Sequence, residues 1–207
     1  SHAMSQSAVP TKPVVTLFEQ YGAGADYIGP KLAERFGVQY VGYRWSSEEL
    51  EQLHATPAEE QTAFDRFMVA AGRGAEPGES TPVHLFQMAD NEAVNANSAE
   101  LNAMAAKGLV VLGRNATTAI KVPALHVKLV ADQATRIKHA QEAYKLDEAS
   151  AKRRLAWEDN DRAQMALHYY GWDPRGTDGF DLIVDTGKGL DAALAEIEAA
   201  ARKKLGL

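Results

Sequence analysis

The chain contains no cysteine. This excludes disulfides and thiol nucleophiles and argues against a structural zinc site, which usually draws on thiolates. No apolar run approaches the ~20 residues of a membrane-spanning helix, and no signal-peptide pattern precedes the first apolar residues. His54, His84, His126, His139 and His168 have no metal-ligand spacing, and no metal-binding side chains are expected. Neither sign of charge dominates. The 22 Lys and Arg and 28 Asp and Glu are intermixed, with a net charge of −6, which argues against a general nucleic-acid surface. The expectation is a cytoplasmic protein with no membrane or nucleic-acid partner, in which a local basic pocket could still take a small phosphorylated ligand.

What is present is an ordinary globular composition, 45% apolar and 24% charged over 207 residues, enough for one substantial core with lobes. The opening SHAM reads as a cleavage scar, and residues 1–12 are set aside as scar and disordered N-terminus. Residues 13–207 are read as one domain. Apolar runs near 13–18, 38–42, 109–113, 125–130 and 181–185 predict five strands, separated by stretches of helical periodicity. Strands alternating with helices predict an α/β, three-layer sandwich with a five-stranded parallel sheet. The stretches after Arg44 and after Asp132 are too long for plain crossovers and predict lobes over the C-terminal edge of the sheet. Asp132 and Asp147 are expected helix caps, as is Ser46 or Ser47. Thr56-Pro57 is expected to start a helix whose apolar face is Ala63, Phe64, Phe67 and Met68. Gly72 to Pro82 reads as a surface loop. Val83 to Phe86 reads as a small strand or an extended entry to a helix running from Met88 to Lys107.

The stretch around which the chain is organised is Val14 to Leu32. A short strand runs into Gly22 and Gly24, and Ile28, Leu32, Ala33 and Phe36 then recur at helical spacing. Such a loop can turn its amides and the positive helix end toward an anion, although an ordinary strand–turn–helix has the same pattern. The lysine and hydroxyl of a GxxxxGK[ST] loop are missing, because Gly24 is followed by Ala25, Asp26 and Tyr27. Asp26 stabilises the helix start but competes with a phosphate. Glu19, a single carboxylate beside the loop, is a poor signal for a catalytic base. A β-branched side chain at Gly24 is expected to crowd the phosphate path and leave the fold intact.

Five segments, in order, carry a resemblance: YGAGADYIGPKLAERFGVQY at 21–40, VVLGRNA at 110–116, LHVKLVADQATRI at 125–137, EDNDRA at 158–163 and FDLIVDTGKGLDAA at 180–193. Together they resemble the cytidylate-kinase-like family, a divergent branch of the nucleoside-monophosphate kinases with the P-loop NTPase fold. The resemblance implies the strand order 2-3-1-4-5, a helical acceptor-binding lobe at about 44–95 and a lid region, with its helix, at about 136–170. It implies ATP as donor, with Mg2+ held mainly through nucleotide and water, and a nucleoside monophosphate, CMP or dCMP, as acceptor.

By position, the resemblance puts the donor phosphates on Gly22, Ala23, Gly24, Ala25 and Asp26, and the donor base near Asp185 and Thr186. The orthodox lysine falls near Ala25 and the hydroxyl near Tyr27. Members often have arginine before the Tyr-Gly pair, where this chain has Gln20. Arg44, Arg114 and Asn115 fall on the acceptor side, with Asn115 where orthodox members have aspartate. Arg136 and Arg162 match lid arginines that close on the transferring group, so Arg114, Arg136 and Arg162 are the implied catalytic residues. The i,i+4 pairs Arg154–Glu158 and Glu158–Arg162 fit either a solvated, salt-laced helix face or a lid whose arginines swing onto phosphate. Tyr169, Tyr170 and Trp172 read as packing beneath that lid. The residues leave open a phosphoryl-transfer enzyme, an inactive nucleotide-binding protein and a kinase for another small acceptor.

Overall fold

The computed structural model describes residues 10–62, 65–66 and 83–207. Its elements run β1 (Val14–Glu19), α1 (Ala25–Phe36), β2 (Gln39–Val41), α2 (Ser47–Ala55), α3 (Val83–Ala105), β3 (Leu109–Leu112), α4 (Ala116–Ala119), β4 (Leu125–Val130), α5 (Gln133–Tyr144), α6 (Glu148–Tyr170), β5 (Leu182–Asp185) and α7 (Leu190–Leu205). The five strands form one parallel sheet in the order β2-β3-β1-β4-β5, as the resemblance implies. β1 lies at its centre, with Val15 opposite both Val110 and Leu125.

Strand alternation assigns the two faces of this sheet. Val15, Leu17, Val110, Leu112 and Val127 join Ile28 and Leu32 of α1 and Leu194 and Ile197 of α7 in one core. Val14, Leu109 and Val111 face the other way, against Leu101 and Ala105 of α3 and Ala116 and Ala119 of α4. Both faces are thus covered by helices, which is why the strands read as near-continuous apolar runs.

The expected caps form at three places. Ser46, Asp132 and Asp147 accept from the amides of Glu49, Thr135 and Ser150. Thr56 does not start a helix. It closes α2, its hydroxyl donating to the Gln52 carbonyl, and Pro57 precedes only a 3₁₀ turn at Ala58–Glu60. A reciprocal pair of bonds instead forms at Thr62 and Asp65, each side chain accepting from the other's amide. This is a capping-box arrangement, and it wins because it satisfies two orphan donors at once. The expected apolar face at Ala63, Phe64, Phe67 and Met68, and the expected loop at 72–82, lie outside the described residues. Val83 to Phe86 is the first turn of α3 rather than strand or extended chain.

Lys128, which interrupts the apolar run of β4, is 5% exposed. Its ammonium donates to the carbonyls of Pro174, Arg175 and Gly176 at 2.9, 3.0 and 2.9 Å. Burial holds its pKa below the usual lysine value, and three carbonyls offset the desolvation of the charge. This tethers the α6–β5 connection to the sheet. Lys128→Met should therefore lower stability by about 2 kcal/mol in urea unfolding, whereas Lys31→Met, at a lysine that lies over the Tyr27 ring, should leave it within about 0.5 kcal/mol.

Candidate functional site

The strand order brings the C-terminal ends of β1, β2 and β3 side by side, and two features meet there. The first is the loop between β1 and α1. The second is a cleft lined by Phe18, Tyr43, Trp45, Arg44, Gly113, Arg114, Asn115, Thr117, Arg162 and Met165. Arg44, the adjacent Arg114 and Asn115, and Arg162, all named by the resemblance and drawn from three distant stretches of the sequence, therefore share one cleft.

Local backbone geometry presents two of them. Gly113, Arg114 and Asn115 occupy the left-handed region in succession, with φ of 70°, 56° and 55°. For the two non-glycine residues this conformation costs roughly 1 kcal/mol or more apiece, and it breaks the chain sharply between β3 and α4. Asn115 stands at the N-cap of α4 without bonding its amides, so its side chain is available to the cleft. The Arg114 side chain is 8% exposed. Its Nε and one Nη donate to Asn97 Oδ1 at 3.2 and 3.1 Å, and it pairs with Glu100 at 3.0 Å. The more exposed Arg44 reaches the same Glu100 oxygen at 3.4 Å. One carboxylate oxygen thus sits between the two guanidinium groups assigned to the acceptor.

Arg162 lies with its guanidinium 3.3 Å from the centre of the Tyr43 ring, pairs with Glu158 at 2.5 Å and donates to the Trp45 carbonyl at 2.9 Å. The Glu158–Arg162 pair predicted from spacing forms, but not on a solvated face. Glu158 and Asp161 are 1% and 0% exposed. Arg154 pairs with Glu51 and Glu48 of α2 rather than with Glu158, because α6 lies against α2 and turns this face inward. Asp161 meets His54 at 2.8 Å, and burial lifts the Asp161 pKa to about 6. The aromatic residues at the end of α6 separate: Trp172 joins Phe18 and Phe180, whereas the Tyr170 hydroxyl accepts from Asn97 of α3.

Arg136 is not in the cleft. It stands beside the loop, donating to the Tyr21 carbonyl at 3.2 Å and to Asp159 at 2.7 Å, while Asp159 also accepts from the Tyr21 amide. Asp185 accepts from the Gly187 amide, and Thr186 is 2% exposed with its hydroxyl directed to the Val130 carbonyl. Thr186 is therefore not presented to a base.

Within the loop, the amides of Tyr21, Ala23 and Ala25 are bonded to Asp159, the Gln20 carbonyl and Glu19. Those of Gly22, Gly24 and Asp26 have no partner among the described residues. A Cβ on Gly22 would stand 2.5 Å from the Arg136 carbonyl oxygen, and one on Gly24, at φ +96°, 2.4 Å from a Leu190 methyl. The expectation that a side chain at Gly24 leaves the fold intact meets a backbone in the left-handed region, where a side chain is strained, whereas the Leu190 methyl is the movable end of a side chain.

The residue passed over in the sequence is Glu19. It is 8% exposed. One carboxylate oxygen accepts from the Ala25 amide at 3.0 Å and the other from the Tyr43 hydroxyl at 3.2 Å. Strand parity carried the signal, since Glu19 shares a face with Val15 and Leu17, which are core. Burial pushes its pKa up to about 8, opposed by the Ala25 amide and assisted by Asp26. Among the described residues no three acidic or histidine side chains gather to hold a metal ion.

A raised carboxyl pKa means that the native state binds more protons than the unfolded chain between about pH 4.5 and pH 8. Stability from this group therefore falls as pH rises through that window. Glu19→Gln, which stays neutral, should be more stable than the wild-type protein above about pH 8 by a few kcal/mol, with the two converging near pH 4.5, in denaturant titrations across this range.

Residues 14–188 match the cytidylate kinase-like family. A solved structure of an uncharacterised protein from Eubacterium ventriosum ATCC 27560 superposes with a TM-score of 0.58 at 17% identity, covering 91% of this chain and 98% of that one. Shikimate kinase from Acinetobacter baumannii in complex with shikimate gives 0.46 at 15% identity, covering 94% of this chain and 96% of that one. A uronate isomerase from Corynebacterium glutamicum is 27% identical over 128 residues, 61% of this chain and 25% of that protein. The chain thus spans about a quarter of the length of that curated relative.

Proposed function

Because the chain belongs to the cytidylate kinase-like family and has its five-stranded parallel sheet, we propose that it binds a nucleoside monophosphate, CMP or dCMP, and transfers a phosphoryl group to it from ATP at a low rate. The observation that carries this reading is the convergence of Arg44, Arg114 and Arg162 in one cleft with aromatic walls. Guanidinium groups grip phosphate with paired hydrogen bonds, and Phe18, Tyr43 and Trp45 offer rings to a base or sugar. An acceptor phosphate is already ionised near neutral pH, so the step needs no general base. It needs alignment and charge stabilisation.

The loop fits a triphosphate in part. The amides of Gly22, Gly24 and Asp26 would hold it, and Arg136 adds a cation beside them. ATP supplies the phosphoryl group. The loop offers magnesium no hydroxyl ligand, so the ion would be held by nucleotide oxygens and water. The Arg162 guanidinium, on the α6 side of the cleft, is the group placed to stabilise charge between donor and acceptor. A second reading, nucleotide binding without transfer, is favoured by one observation: Glu19 occupies the Ala25 amide.

The test is a panel of ATP and GTP against the common nucleoside monophosphates, with diphosphate product followed by chromatography. Product above the no-enzyme control with CMP or dCMP is the expected result. Binding of CMP with no product across the panel would establish the second reading. Arg44→Ala should weaken CMP binding about tenfold with an unchanged melting temperature, since Arg44 is exposed. Arg114→Ala should lower both binding and stability, because it strips Asn97 and Glu100 of a bonded partner.

A further inference from the structure

The loop between β1 and α1 already holds a carboxyl group, and that group belongs to the chain. Glu19 Oε2 sits 3.0 Å from the Ala25 amide, at the first turn of α1 and, in sequence, between the Gly24 and Asp26 amides proposed above for the phosphates. The carboxyl is not a loose surface group that drifts into the loop. It is carried on the core-facing side of β1, is 8% exposed and is held at its second oxygen by Tyr43. Tyr43 also lines the cleft and carries Arg162 on its ring.

We propose that Glu19 is the residue that sets the donor affinity of this loop: as a carboxylate it excludes a polyphosphate, and as a neutral carboxyl it admits one. The proposal rests on the donor-loop reading given above. The physical reason is short-range electrostatics. A phosphate oxygen approaching the Ala25 amide meets a carboxylate in a dry, low-dielectric setting, where repulsion between like charges is far stronger than in water. Removing the proton from Glu19 thus disfavours the ligand, and by linkage the ligand favours the proton.

The charged and titratable groups around Glu19 fit this role. Asp26 of α1 and Glu158 of α6 oppose its ionisation, as burial does, while Tyr43 and the Ala25 amide favour it. Arg162 of α6 is held by Glu158 rather than by Glu19. Burial raises the pKa values of Tyr40 of β2 and Tyr144 of α5, and the Glu19 charge adds to it. On the neighbouring strand Glu19 is opposite Leu129, which is apolar. Glu19 is therefore surrounded mainly by groups that resist a second negative charge, and the cation that feels its charge, Arg162, is hydrogen-bonded to Glu158 instead.

Calorimetric titration of the full chain with ATP, without magnesium, tests this at about pH 7.5 and about pH 9.5. The terminal phosphate of ATP is already ionised across that interval, so its own charge does not change. With a midpoint near 8, most Glu19 is neutral at the lower pH and nearly all is charged at the higher. The wild-type dissociation constant should rise about tenfold or more, as the competent fraction falls. Glu19→Gln should bind at the higher pH as well as the wild-type protein does at the lower, with less than about a twofold change between them. Independently of ligand, the Ala25 amide resonance in NMR should titrate over this range in the wild-type protein and stay fixed in Glu19→Gln. A wild-type affinity that does not change with pH, a parallel loss in Glu19→Gln or an Ala25 resonance that does not titrate would overturn the inference. ATP binding that persists with no pH dependence overturns it alone and leaves the proposed function standing. Failure of both proteins to bind ATP at either pH overturns both.

Discussion

The contact on which the rest of the site depends is the one between the Glu19 carboxyl and the Ala25 amide. It fixes the β1–α1 loop from within. It also reaches the cleft, because the second oxygen takes the Tyr43 hydroxyl, the Tyr43 ring supports the Arg162 guanidinium, and that guanidinium is held by Glu158. The same arrangement recurs around it. Arg136 is paired with Asp159, and Arg44 and Arg114 share Glu100. Gathering four arginines without a ligand would be costly through mutual repulsion. Internal carboxylates remove that cost and hold the guanidinium groups in place. Buried pairs of this kind are weak evidence for stability, but under the proposed function they set what binding would require: a phosphate oxygen taking the place of a carboxylate.

Much of the fold was legible in the residues. β1, β3 and β4 are buried on both faces, so each appears as a continuous apolar run, and the alternation with helical periodicity could be read directly. The strand order came from the family resemblance, since periodicity does not say which strand lies beside which. What could not be read was long-range polar partnership. Nothing local in the sequence places Glu100 against Arg44, or Asp159 against both Arg136 and the loop. Glu19 was the exception. Its parity with Val15 and Leu17 already placed it on the core face, and only its acidic character argued for solvent. The start after Thr56 was misread for a similar reason: Thr-Pro is a good local start signal, but the reciprocal bonds of Thr62 and Asp65 outcompete it.

The long helix α6 was expected to be either a solvated face or a swinging lid. The structure contains a third arrangement. Arg154 is tied to Glu51, Asp161 to His54, Asp159 to the Tyr21 amide and Arg162 to the Trp45 carbonyl, so the helix is attached along most of its length to α2, the loop and the end of β2. Arg154 and Asp161 are buried, so removing Glu51 or His54 leaves a buried charge, which costs more than the pair contributes. The helix that the resemblance assigns to the lid is thus fastened to the rest of the molecule.

This attachment has a consequence in time. Rigid-body opening of a lid takes microseconds to milliseconds. In this protein such a motion would break the Arg154–Glu51 and His54–Asp161 pairs together, and the α6–β5 connection is itself held by the Lys128 ammonium. The groups free to move at the cleft are smaller: the exposed Arg44 side chain and Glu100, which is half exposed. Rotations of exposed side chains occur in picoseconds to nanoseconds. A ligand entering the cleft would then meet side-chain exchange on the fast scale, with slow opening left to fluctuations that unfasten α6 as a whole.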